Sequence, residues 1–396
     1  MITSVTDLPV AGKRLVVRAD LNVPMEGGRV SDATRITRFA DGMKPLLAKG
    51  ASLVILSHFG RPKGADMAFS LRHIRDDVSR ALGCPVAFAA LDQAAEAAAD
   101  LKPGQVLLVE NIRFEAGEEK NDVALAGQLA ALGDIYVNDA FSCAHRAHAS
   151  TAAIAGLMTA TAGPLMMEEV AALTAALEKP QRPSVAIVGG AKVSSKIAVL
   201  KHLVTKVDHV IVGGGMADTF LFADGAPMGK SLHEADQVAT VAEIRDIAAK
   251  HGCTIHLPAD VVISREFKAH AASETVGAHD CPADAMILDA GPKAVAAFAE
   301  VLSGSKTILW NGPLGAFEMQ PFDAATVALA RTAADLTRAG LCVSVAGGGD
   351  TVAALNAAGV ADQFTYVSTA GGAFLEWLEG RALPGIAALM RDGQAA

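Results

Sequence analysis

The sequence predicts an α/β protein built from two doubly wound parallel-sheet domains joined by a helix and hinge. Three observations carry this. Short β-rich runs recur along the chain, helical patterns separate them, and one helix ending in two prolines divides them into two sets. The first set is 15–18, 53–57, 86–89, 106–110 and 135–138. The second is 185–188, 210–212, 254–257, 286–288, 307–310, 342–345 and 365–367. The runs alternate little between apolar and polar, as expected of strands buried on both faces of a parallel sheet. Segments between them, such as 124–132 and 324–336, have helical composition and spacing.

Residues 164–177 read as a helix rich in Met, Glu, Ala and Leu, ending at Lys179-Pro180-Gln181-Arg182-Pro183. Paired prolines stop a helix and stiffen the joint. We place the domain boundary there: 1–163 as the first domain, 164–183 as the connecting helix and hinge, and 184–380 as the second domain. At 396 residues the chain has room for two such domains, and 51% hydrophobic residues supply two aliphatic cores.

The net charge of -9 argues against a nucleic-acid partner, which selects for a basic face. The apolar stretch 152–167 is interrupted by Gly156, Gly163 and Pro164 and is shorter than a membrane span, so no membrane role is expected. The N-terminus shows neither the basic nor the apolar region of a signal peptide. Five cysteines, with no C-x-x-C pair, suggest reduced thiols in a cytoplasmic protein.

Ligands of open α/β sheets bind beyond the C-terminal ends of the strands, so the residues that follow each run carry the functional reading. In the first domain these are Asp20 and Asn22, then His58 and Arg61, then Arg113, then Arg146, with Arg35 opening the next helix. A lone arginine is most simply a solvated surface residue. Several at the strand ends of one sheet suit a small molecule with more than one negative group, because guanidinium grips carboxylate and phosphate with two bonds.

In the second domain the strand ends carry glycines: GGAKVSSK at 189–196, Gly213 to Gly215, NGPLG at 311–315, GGGDT at 347–351 and STAGG at 368–372. Glycine also serves tight turns. Five such segments in succession, one with Lys192 and Lys196, favour a nucleotide phosphate site at helix N-termini. Asp350 suits either a helix N-cap or a Mg²⁺ ligand. Two decoys are set aside. Residues 224–231 approach a P-loop, but Asp224 replaces the first glycine and a helical stretch precedes it, so a surface loop is expected. His145 and His148 flank Arg146, whose charge opposes a metal there.

The ordered motifs VRADLNVP (17–24), SHFGRP (57–62), ENIRF (110–114), AHRAHAS (144–150), GGAKVSSK (189–196), WNGPLGAFE (310–318), GGGDT (347–351) and STAGGA (368–373) resemble the phosphoglycerate kinase family over nearly the whole chain. The resemblance implies two Rossmann-like domains and a reversible transfer from 1,3-bisphosphoglycerate to ADP, giving 3-phosphoglycerate and ATP. It implies that Asp20, Leu21, Asn22, Arg35, His58, Phe59, Gly60, Arg61, Arg113 and Arg146 bind phosphoglycerate. It implies that Lys196, Asn311, Gly348, Gly349, Asp350 and Thr351 serve the nucleotide phosphates, with Mg²⁺ on Asp350. Glu318 would take the ribose and Gly213, Gly214 and Gly215 the base. Arg35, Lys192 and Lys196 would stabilise the transferred group. Residues 381–396 would return to the first domain, and the protein would be a monomer. Ala370 departs from the family's glycine, which matters if that position needs a positive φ. A nicotinamide dehydrogenase would need G-x-G-x-x-G and an acid about 20 residues on, an arrangement this sequence lacks. A non-catalytic relative of the same fold would be expected to have lost Arg35, Lys192 or Asp350.

Overall fold

The computed structural model describes residues 2–390. The chain forms two compact units. One runs to Val170 and resumes at Ala382; the other is Ala171–Arg381.

The first unit holds β1 (Arg14–Arg18), a hairpin of β2 (Met25–Glu26) and β3 (Arg29–Val30), then β4 (Ser52–Leu56), β5 (Val86–Ala89), β6 (Val106–Val109), β7 (Ile135–Asn138) and β8 (Ala160–Ala162). Six of them form a parallel sheet in the order β5-β6-β4-β1-β7-β8. β1, β4, β6 and β7 are almost wholly buried, which explains their unbroken apolar runs. The edge strand β8 falls within the apolar stretch 152–167. The helix Thr34–Ala48 lies after the hairpin, with Asp32 accepting from the Thr34 N–H at 2.9 Å just before it. Ile36, Phe39, Ala40, Met43 and Leu46 recur at helical spacing and enter the core with Leu15, Val17, Leu53 and Ile55. Burying each larger side chain contributes about 1.5–3 kcal/mol. Register sets Arg18 beside Leu56 on one side and Asn138 on the other. The segments that follow β1, β4 and β7 therefore leave the sheet at one edge.

The second unit begins with the end of the helix Pro164–Leu173 and a wider helical turn, Thr174–Glu178. Its strands are β9 (Ser184–Val188), β10 (His209–Val212), β11 (Thr254–His256), β12 (Asp260–Ser264), β13 (Ser273–Gly277), β14 (Met286–Ala290), β15 (Thr307–Asn311), β16 (Val343–Gly347) and β17 (Tyr366–Ser368). The main sheet is parallel, β11-β10-β9-β15-β16-β17. Counted within that sheet, the order is 3-2-1-4-5-6, the dinucleotide-fold order, with its switch point between β9 and β15.

One expectation is corrected. The run 286–288 does not join the parallel sheet. It belongs to β14, in a separate antiparallel sheet ordered β13-β12-β14. β13 is largely exposed and polar, so its sequence carried no buried-strand signal. Residues 224–231 form the expected loop, with Asp224, Gly225, Pro227, Gly229 and Lys230 exposed. It is a turn-rich segment partly packed against that sheet, with Ala226, Met228 and Ser231 buried. The Lys230 N–H donates to Ala285 O at 2.7 Å.

At the C-terminal end, the Gly385 N–H donates to Ala144 O at 2.8 Å, within the first unit. Residues 391–396 of the expected returning segment lie outside the described residues. All five cysteines are free, four of them buried. Among the described residues no helix is long and apolar enough to cross a membrane.

Candidate active site

In the first unit Arg35, Arg113 and Arg146, of the expected cations, come together near His58. Arg18 ends β1, and its guanidinium is buried. Its Nε donates to Ser150 Oγ at 2.8 Å and its Nη2 lies 3.2 Å from His58 Nδ1. Arginine only donates, so His58 Nδ1 accepts and the ring proton sits on Nε2. Burial, then the charges of Arg18, Arg113, Arg146 and Arg35, hold the His58 pKa far below its ordinary value. The ring is neutral. Arg35 is fixed by Asp20 Oδ2 at 2.9 Å and by the carbonyl of Asn22 at 2.9 Å. Asp20 also accepts from Ser142 Oγ at 2.5 Å. Arg113 donates to Gly60 O at 2.6 Å, and burial followed by the neighbouring Arg146 lowers its pKa. Arg146 is half-buried, and Arg61 is exposed. Mutual repulsion among so many guanidiniums is relieved by an anion.

Three expected residues act as frame. The Leu21 side chain is in the core, and its N–H donates to Ser57 Oγ at 3.0 Å. The Phe59 N–H goes to Asn111 Oδ1 at 3.2 Å, and the Gly60 N–H goes to Asn22 Oδ1 at 2.9 Å. Their amides are occupied, so they shape the loop that carries His58 and Arg61. Sequence reasoning missed Arg18, Asn111 and Glu118. Glu118 accepts from the N–H and hydroxyl of Ser150, at 2.9 and 2.5 Å, and so steadies the partner of Arg18. His145 accepts from Arg146 Nε at 3.2 Å, and His148 Nδ1 lies 3.7 Å from Glu118.

In the second unit, Lys196 sits at the switch point. Its Nζ donates to Gly189 O at 2.6 Å and Asn311 O at 3.1 Å. Burial lowers its pKa to about 8, against the opposing pull of Asp350. Lys192 is exposed. Helix Gly349–Ala357 begins after Gly348, whose φ is 99°. A Cβ on Gly348 would lie 2.6 Å from Asn311 Nδ2. The helix start presents Gly349, Asp350 and Thr351, an arrangement suited to phosphate. Thr351 Oγ1 accepts the Gly312 N–H at 2.7 Å and keeps its own proton to donate. Asn311 donates to Gly347 O at 2.8 Å, while its Oδ1 is buried without a partner.

A pocket opens beside these loops, lined by Gly213, Gly214, Gly215, Leu232, Val261, Ile287, Leu314, Glu318 and Asp350 among others. The amides of Gly213 and Gly214 go to Val188 O and Leu314 O, so these glycines shape the pocket wall and are not phosphate donors. In the last loop the positive φ falls on Gly371, and Ala370 is not among the positive-φ residues, so the alanine costs no strain.

Among the described residues no group of three or more His, Cys, Asp or Glu is arranged to hold a metal. Asp350 alone, on the pocket wall, fits a Mg²⁺ carried chiefly by phosphate oxygens.

The phosphoglycerate kinase family model matches residues 5–381. The chain is 59% identical to the phosphoglycerate kinase of Cereibacter sphaeroides over 388 residues, covering 97% of this chain and 98% of that one. It is 59% identical to that of Zymomonas mobilis over 384 residues, covering 96% and 97%. The structure of phosphoglycerate kinase from Coxiella burnetii superposes with a TM-score of 0.93 at 42% identity, covering 98% of this chain and 99% of that one. That from Pyrococcus horikoshii gives 0.80 at 28%, covering 98% of each. On this evidence the chain belongs to the phosphoglycerate kinase family.

Proposed function

We propose that the chain is a glycolytic kinase that moves a phosphoryl group reversibly between 1,3-bisphosphoglycerate and ADP, giving 3-phosphoglycerate and ATP. The observation that carries this is the pairing of two chemically different sheet edges. One gathers Arg18, Arg35, Arg113 and Arg146 around a neutral histidine. The other sets Lys196 and a helix start beside an apolar pocket.

In this reading the first unit takes phosphoglycerate, with the His58 Nε2–H and the arginines as donors. The second takes the nucleotide: phosphates at Gly348–Thr351 and Lys192, ribose at Glu318, base in the apolar pocket. Bound Mg²⁺ would neutralise phosphate charge, with Asp350 its protein ligand. The attacking group is anionic in both directions, so no general base is required. Catalysis rests on positioning and charge stabilisation by Arg35, Lys192 and Lys196. Flexing around 164–183 brings the two bound substrates together and shields the acyl phosphate from water. The protein works as a cytoplasmic monomer on small molecules, with neither nucleic acid nor membrane as partner.

A coupled assay with ATP and 3-phosphoglycerate tests the proposal. ATP-dependent formation of an acyl phosphate is the expected result, and its absence would overturn the reading.

A further inference from the structure

Asp218 lies in the helix Gly214–Ala223, within the wall of the pocket assigned above to the nucleotide's base. It is 3% exposed, and among the described residues no hydrogen bond or ion pair reaches its carboxyl. A buried polar group without a partner is costly, by about 1–3 kcal/mol, unless something fills the role. The other buried pocket acid, Asp289, is accounted for by the N–H groups of Ala290 and Ala325, each at 2.9 Å.

Position separates Asp218 from the phosphate end. Lys196 feels Asp350, whereas Asp218 acts on Cys281, whose Sγ is 3.9 Å from Ser231 Oγ. Ser231 in turn receives the Ile287 N–H from the antiparallel sheet at 2.8 Å. Asp218 therefore belongs to the apolar end of the pocket, with Val261 and Ile287, where a base and not a phosphate would rest.

We propose that Asp218 reads the polar edge of the nucleotide's base, pairing with an adenine-type 6-amino group and the adjacent ring nitrogen. Burial alone pushes its carboxyl pKa well above the usual carboxylate range, which favours the protonated form. A protonated carboxyl offers one donor and one acceptor side by side. The N1 and 6-amino group of adenine offer the complementary pair. A base lacking the amine leaves the Asp218 carbonyl oxygen unpaired, and a site built to bond a group rejects the analogue without it.

The inference rests on the nucleotide reading of this pocket, and the test separates the two. Steady-state kcat and KM are measured for ATP and for purine riboside 5′-triphosphate, with 3-phosphoglycerate as acceptor. The wild-type chain should prefer ATP by about 10- to 100-fold in kcat/KM, carried mainly by KM. Asp218→Leu should bring that ratio within about threefold of unity. Asp218→Asn, whose amide still offers a donor and an acceptor, should keep most of the preference. Retention of the wild-type ratio by Asp218→Leu would overturn the base assignment. So would equal loss in both variants carried by kcat, which marks a merely structural role. If the wild-type chain uses neither triphosphate, the nucleotide reading itself fails.

Discussion

Nη2 of Arg18 lies 3.2 Å from Nδ1 of His58, and this contact fixes which ring nitrogen carries the proton. The ring faces its anion site as a neutral Nε2–H donor, surrounded by guanidiniums that oppose any further charge.

The first prediction concerns pH and stability. An unfolded histidine takes up a proton near pH 6.5, whereas folded His58 resists it. The unfolded state then binds more protons, so the stability due to the neutral ring is complete above about pH 6.5 and falls as pH drops. The slope from this one group is at most about 1.4 kcal/mol per pH unit. His58→Gln should flatten the decline in thermal midpoint between pH 6.5 and 5. An unchanged pH dependence would contradict the assignment.

Charge stabilisation of the transferred group gives the second. Arg35→Ala and Lys192→Ala should each lower kcat by roughly 10²–10³-fold. Stopped-time or coupled turnover measurements check this. Near wild-type turnover in both would remove these residues from the mechanism.

The third uses Lys196. Its folded pKa is about 8, so the charged form prevails at neutral pH and is lost above it. The kcat/KM profile for the nucleotide should therefore fall on the alkaline side with a midpoint near 8. Asp350 raises that pKa, so Asp350→Asn should move the limb to lower pH. A limb that stays in place in the variant would show that Lys196 does not set it.

The fourth concerns backbone. Gly348 combines a φ of 99° with a Cβ position 2.6 Å from Asn311 Nδ2. Gly348→Ala should cost roughly 1–3 kcal/mol of stability and weaken nucleotide binding together. Calorimetric unfolding and nucleotide titration measure the two effects.

Closure of the two units can be followed by small-angle scattering. The radius of gyration should fall only when both substrates are bound, and no change would count against flexing around 164–183.

Much of this was legible in the sequence because parallel strands announce themselves as apolar runs and their ligands follow them. Arg35, His58, Arg61, Arg113 and Arg146 were singled out that way as candidates, as were Lys192, Lys196 and Asp350. Arg18 was not, because its charge at the end of a buried strand reads as the edge of a run and its role depends on Ser150 and Glu118, a hundred residues or more later. The antiparallel sheet escaped because β13 is polar and exposed. Buried aspartates also escaped. Asp139 accepts the N–H groups of Leu165 and Met166 at a helix start, and Asp260 those of Lys293 and Ala294. Each follows or opens an apolar run and precedes a distant helix, a pairing that one-dimensional spacing does not show. The glycine-rich strand ends do not all point to phosphate. Gly213 and Gly214 serve the close approach of loops, with their amides already bound.

Titration calorimetry shows whether the acid and the nucleotide are held by different units. Arg61 and Lys192 are both exposed, so alanine at either leaves the fold intact. 3-Phosphoglycerate and magnesium ADP are titrated separately into wild type, Arg61→Ala and Lys192→Ala. Arg61→Ala should weaken only 3-phosphoglycerate and Lys192→Ala only the nucleotide. Loss of both ligands in either variant, or the reverse pairing, would contradict this division.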